Sequence, residues 1–149
     1  ETIRIADGIS WARIPMPGSL GHINSWLLDD ADERGEGTGL GYNHNYPLPA
    51  GSDWNVWSQA LRDALRQIAG FGADYLIVSL GVDTYLADPI SSFKLDSPDY
   101  LKMGELIAGL GLPTLFVMEG GYAVEEIGIN AVNVLTAFDA TVTTQGEAQ

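Results

Sequence analysis

"DYLIVSLGVDTYLADPISSFKL", residues 74–95, decides the fold. Its first half is a mainly apolar run rich in branched residues, interrupted by Ser79 alone between Tyr75 and Gly81. Such a run suits a strand covered on both faces, the usual condition in a parallel sheet. The second half turns polar at once. It places Asp83 at the exit of the strand and Asp88 further along the loop. In open α/β sheets, ligands bind outside the carboxyl ends of the strands. Asp83 therefore stands where such a fold presents chemistry. From position alone two roles stay open: pinning the loop, or binding a metal ion or a substrate cation.

The segments on either side support a sheet with helical crossovers. "SDWNVWSQALRDALRQIAGFG" (52–72) reads as a helix capped by Ser52 or Asp53 and stopped by Gly70 and Gly72. Its Trp57, Leu61, Ala64, Leu65 and Ile68 share one face. "SPDYLKMGELIAGLG" (97–111) reads as a second helix, with Ser97 as cap, Pro98 in the first turn, and Leu101, Leu106, Ile107 and Leu110 inward. "LPTLFVMEGGY" (112–122) is a second buried strand ending in Gly120 and Gly121. "AVEEIGINAVNVLTAFDA" (123–140) is a third helix, with Val124, Ile127, Ala131, Val134, Leu135 and Phe138 inward. Residues 141–149 are expected to form a polar, frayed tail. Strands alternating with helices predict an α/β fold, a mostly parallel sheet flanked by helices on both faces. Asp83 and Tyr122 should meet at the strand carboxyl ends.

The first third is less regular. "DERGEGTGLG" (32–41) lacks the Gly-Lys-Ser/Thr of a phosphate loop, and its two glutamates would repel phosphate. "GYNHNYPL" (41–48) suggests a strand with Tyr42, His44 and Tyr46 on one face, ended by Pro47.

Composition narrows the partners. Twenty acids against seven Lys and Arg give a net charge of −13. That opposes nucleic acid; it would attract a cationic ligand, and it equally reads as the solubility of an acidic protein. Hydrophobic residues make up 46% of 149 residues, enough for one globular domain. There is no cysteine, hence no thiolate zinc site and no thiol nucleophile. That fits a reducing, cytoplasmic setting. No apolar run is long enough to span a bilayer, and the first residues do not read as a signal peptide. Trp11, Trp26, Trp54 and Trp57 lack an accompanying basic cluster and read as core or interface anchors rather than a base-stacking platform.

"DERGEGTGLGYNHNYPLPAGS", "LIVSLGVDTYLADPISSFKL" and "GLPTLFVMEGGYAV", in this order and spacing, resemble the C-terminal portion of the zinc-dependent histone deacetylase superfamily. Within it they look most like the bacterial acetylpolyamine amidohydrolases. The resemblance runs from about Asp32 to about Phe138 and implies a partial arginase/deacetylase fold. It divides the chain into a divergent segment (1–31), the deacetylase-like part (32–140) and the tail (141–149). It implies that Asp83 is a zinc ligand and that Tyr122 polarises the substrate carbonyl. It implies that Gly120 and Gly121 border the substrate channel, and that Asp88 and Ser91 fix the loop. Zinc is the family's cofactor, and a cationic acetylated amine the substrate of the branch.

The departures are as specific as the match. The family's tandem His-His pair and its Asp-x-His ligand segment are absent, and the chain's two histidines are His22 and His44. The "GH" at 21–22 echoes a family loop segment, which makes His22 a loop residue, and His44 a strand residue. A catalytic zinc wants three protein ligands. One ligand, Asp83, carries over, so the chain alone is expected to bind no stoichiometric zinc and to hydrolyse no amide. Three readings stay open: a truncated amidohydrolase, an enzyme completed by another chain, or a non-catalytic binding or oligomer-forming module. A sheet lacking the rest of its fold should expose apolar surface, and a homodimer or higher oligomer is expected to cover it.

Overall fold

The computed structural model describes residues 44–147 in full and, as backbone strands, residues 2–6, 9–15 and 22–28. It comprises two units, Glu1–Tyr46 and Pro47–Gln149. The first contains β1 (Thr2–Ala6), β2 (Ile9–Pro15) and β3 (His22–Leu28), paired antiparallel in the order β1-β2-β3. Trp11 lies opposite Trp26, and Pro15 opposite His22. This sheet is not foreshadowed by the sequence reading. In β2, Arg13 and the neighbouring Ile14 break the apolar/polar alternation that marks a half-buried strand. His22 thus opens a strand rather than lying in a loop. The other half of the "GYNHNYPL" expectation also changes: residues 44–49 form no regular strand, and Tyr42 lies outside the described residues.

In the second unit, α1 spans Trp54–Phe71. Its N-cap is Asp53, which accepts from the amides of Asn55 and Val56. The helix passes through Gly70 and ends at Gly72, which adopts φ 76°. Trp57, Leu61, Ala64, Leu65 and Ile68 are all half-buried, so the inward face is the one the spacing indicates.

β4 (Leu76–Leu80) and β5 (Thr114–Met118) pair in parallel, Leu76 opposite Thr114 and Leu80 opposite Met118. Parallel neighbours need a crossover, and α2 (Ser97–Ala108) supplies it. Asp96, not Ser97, caps α2. Its carboxylate accepts from the Ser97 amide at 2.8 Å, while Asp99 Oδ2 accepts from the Asp96 amide at 2.9 Å. This reciprocal capping box outcompetes a serine hydroxyl because both partners are carboxylates at a helix N-terminus.

The buried face of α2 is Tyr100, Met103, Gly104, Ile107 and Ala108. Ile107 is buried as expected and Leu106 and Leu110 are half-buried, but the face is rotated toward Tyr100 and Gly104, and Leu101 is exposed. Gly104 explains the rotation. A Cβ there would overlap the Val134 carbonyl oxygen and stand 3.0 Å from the Phe138 amide nitrogen, so α3 crosses directly over this glycine. α3 runs Ile127–Glu147, continuous through the segment expected to fray. It buries Asn130, Val134 and Ala137, whereas Val124 and Leu135, expected inside, are exposed.

The core joins Leu80, Val82, Leu95, Tyr100, Met103, Ile107 and Val134. Phe116 meets Phe138 edge-on at 5.1 Å, bringing β5 to α3. Trp54 stacks on Trp57 at 5.8 Å, and the Lys102 ammonium lies 5.4 Å from the Trp54 ring centroid. Among the described residues, one face of the β4–β5 ribbon is covered. Leu76, Val78 and Phe116 pack on the core, while Ile77 is 68% and Leu115 58% exposed. Burial on both faces, expected from the mainly apolar run, is therefore not met among the described residues.

Candidate functional site

The parallel ladder continues past both strands. Glu119 donates its amide to the Leu80 carbonyl at 2.9 Å, and Val82 donates to the Gly120 carbonyl at 2.8 Å. This extension brings the loop after β4 against the loop after β5. Asp83 follows directly. A methyl group at Gly120 would overlap its carboxylate and stand 2.8 Å from its Cγ, and one at Gly81 would stand 2.9 Å from Oδ1. The carboxylate thus occupies the space that side chains at these two positions would fill. Gly121 is constrained in a second way. Its φ of 143° disfavours any L side chain, and a Cβ would press on Val82 Cγ2 at 2.6 Å.

The loop that carries Asp83 is stitched closed. Tyr85 donates to the Val82 carbonyl at 3.3 Å, Asp88 to the Tyr85 carbonyl at 3.0 Å, and Leu86 to the Leu95 carbonyl at 2.8 Å. Asp88 is 7% exposed. Its Oδ1 accepts from the amides of Ile90 at 3.0 Å and Ser91 at 3.2 Å. Ser91 Oγ in turn accepts from the Phe93 amide at 3.3 Å. Asp88 Oδ2 accepts from the amide of Tyr122 at 2.8 Å, across 34 positions of chain. Tyr122 is 47% exposed, so its backbone is tied while its side chain reaches solvent.

Tyr100 is the group that sequence reasoning missed. It is fully buried, and its hydroxyl donates to the Val82 carbonyl at 3.0 Å. That leaves Thr84 Oγ1, also 3.0 Å away, as donor to the phenol oxygen. Tyr100 therefore grips the chain on both sides of Asp83. Burial pushes its ionisation well above the ordinary phenol range. The Thr84 hydrogen bond opposes that shift, and the Asp83, Asp88 and Asp99 charges add to it. The signal was present in the i, i+3, i+4, i+7, i+8 set that Tyr100 begins with Met103, Gly104, Ile107 and Ala108.

Among the described residues, no group of three or more His, Cys, Asp or Glu side chains converges as a metal ion would require. Asp83 alone does not fit a zinc ion, whose sites draw on several ligands. His44 is exposed, in the irregular stretch before α1, and His22 lies in β3. Two shallow grooves lie elsewhere, one beside Glu105 and Thr141 and one beside Arg62 and Leu110. Among the described residues no helix is long and apolar enough to cross a membrane.

A family model described as the histone deacetylase domain matches residues 28–138. The chain belongs to the histone deacetylase family. It is 71% identical over 114 residues to Acetylpolyamine amidohydrolase 2 of Pseudomonas aeruginosa, an alignment covering 76% of this chain and 33% of the relative. It is 57% identical over 109 residues to the Acetylpolyamine amidohydrolase of Mycoplana ramosa, covering 73% and 32%. The crystal structure of acetylpolyamine aminohydrolase from Burkholderia pseudomallei superposes with a TM-score of 0.70 at 42% identity, covering 72% of this chain and 32% of that one. This member of the deacetylase family thus spans about a third of the length of the curated relatives it matches. Its α/β architecture, a parallel β4–β5 pair with helices, is part of the deacetylase fold.

Proposed function

We propose that this chain is the C-terminal third of an amide hydrolase acting on acetylated, cationic amines, and that it is inactive alone. The observation that carries the reading is the junction of two loops at one end of the β4–β5 pair: Asp83 packs against Gly120, and Asp88 holds the amide of Tyr122. The Tyr122 hydroxyl is the donor in this reading. It would stabilise the oxyanion that forms as the amide carbonyl becomes tetrahedral, a charge absent from the bound substrate. Asp83 would serve as one metal ligand among others supplied by the rest of the fold. Gly120 and Gly121 would border the substrate, and Asp88 and Ser91 would hold the loop. The net charge of −13 favours a cationic amine over an anionic substrate. The lack of cysteine supports a cytoplasmic setting. Residues 32–140 would form the deacetylase-like part and residues 1–31 the divergent segment.

The test uses an acetylated diamine with zinc. The chain alone is expected to bind no stoichiometric zinc and to release no amine. Mixed with the N-terminal two-thirds of the Pseudomonas relative, it should release amine, and Tyr122→Phe should abolish most of that activity. Chelator-sensitive hydrolysis by the chain alone, lost in Asp83→Asn, would instead mean that other donors complete a metal site. A stable mixed complex without hydrolysis would favour a non-catalytic binding module.

A further inference from the structure

We propose that Asp88 is the positioning residue for Tyr122: one buried carboxylate sets the separation between the Asp83 loop and the Tyr122 loop. This rests on the assignment of Tyr122 as the carbonyl donor, and goes beyond it in naming what holds that donor. A loop-fixing role requires only one oxygen. Pro89 has no N–H, so the first amides available after Asp88 are those of Ile90 and Ser91, and both point at Oδ1. The second oxygen has no part in that turn. It is given entirely to the Tyr122 amide, at 2.8 Å and 34 positions away.

The chemistry favours aspartate for this task. A buried carboxylate is tolerated when main-chain donors surround it, and hydrogen bonds to an ionised acceptor are the stronger kind. Here three amides converge on two oxygens. The anchor sits at the amide of Tyr122, after Gly121 at φ 143° has turned the chain. Gly120 and Gly121 permit many backbone directions, so a fixed point after them is what gives the phenol a defined origin. The same carboxylate belongs to the loop that carries Asp83 five positions earlier. Displacement of either loop is thereby felt by the other.

Asp88→Asn separates the two functions of the side chain. Asparagine keeps one acceptor oxygen. Facing Ile90 and Ser91, it satisfies two amides and turns its NH₂ toward the Tyr122 N–H, donor against donor. NMR of the whole chain, without metal or substrate, reads the result. In the wild type, a long-range HNCO experiment should show coupling across the hydrogen bond from the Tyr122 amide nitrogen to Asp88 Cγ. In Asp88→Asn, the Tyr122 amide should exchange about tenfold faster or more, the share of a hydrogen bond to a charged group. The Ile90 and Glu119 amides should keep their protection, and the Tyr122 ring should lose order in ¹³C relaxation. A loop-fixing residue alone would lower the melting temperature and leave Tyr122 exchange unmoved. Unchanged Tyr122 exchange in a folded Asp88→Asn variant overturns the proposal. So does the absence of coupling in the wild type, which decides the matter if the variant fails to fold. Failure of the amine-release assay would leave these readouts intact, so the two proposals fail separately.

Discussion

Tyr100 holds the carbonyl that immediately precedes Asp83, and its own ionisation is suppressed by that placement. The sign of the pH dependence follows from the direction of the shift. The folded state keeps the phenol neutral above its ordinary value of 10.0. The stability this contributes is fully present below about pH 10 and is lost as the pH rises from there toward the raised folded value. Tyr100→Phe should therefore lower stability at neutral pH by about 1–3 kcal/mol, because the Val82 carbonyl and the Thr84 hydroxyl lose a buried partner. It should also flatten the fall in stability above about pH 10. Urea unfolding of both proteins at neutral and alkaline pH measures both effects. Asp83 could be singled out in the sequence because a carboxylate directly after a buried strand has few apolar reasons to be there, although its position left its role open. The helical spacing carried a signal for the burial of Tyr100 but none for its hydrogen bonds, which depend on a loop brought to it by tertiary packing.

At the level of elements, the order of helices and strands from residue 52 onward could be read directly, and the phase of α2 could not. Leu101 attracted the apolar assignment, while Gly104 looked like an interruption. The structure inverts their roles. Gly104 is the point of closest approach between α2 and α3, and Leu101 faces out. Two effects compete in Gly104→Ala. Helix propensity favours alanine by about 1 kcal/mol. Overpacking costs about 1–3 kcal/mol, and here the obstacle is α3 backbone, which cannot rotate away as a side chain can. Net destabilisation is expected, read as a lower urea midpoint with an unchanged slope. The antiparallel sheet of β1, β2 and β3 escaped sequence reading for a different reason. β2 and β3 lack a clean period of two, and the alternation of Ile3 and Ile5 with Thr2 and Arg4 in β1 is too short to stand alone, so pairing is what reveals them.

For the molecule as a whole, the face of the β4–β5 pair left open among the described residues is the surface on which to test for a partner. Ile77, Leu115 and Val117 are 68%, 58% and 40% exposed on a sheet whose other face is core. We propose that a second copy covers this face when the remainder of the fold is not supplied. Repulsion from the net charge of −13 is screened beyond about 8 Å at physiological salt. Sedimentation at low micromolar concentration should give a dimer, and Ile77→Lys should shift it to monomer. A wild-type monomer under these conditions would overturn the assignment. The Asp88–Tyr122 bond carries a different consequence, in the order of events during folding. It closes a loop of 34 residues, and closure of that length costs about 3 kcal/mol of chain entropy before any constant is added. One charge-assisted hydrogen bond contributes about 1.5–3 kcal/mol and cannot meet that cost alone. The two loops therefore join after β4 has found β5 and α2 has docked, when the entropy has already been offset by apolar burial. The junction of the two loops is expected to assemble last in this unit and to open first on warming, an order that amide exchange at Tyr122 against Val78 would read.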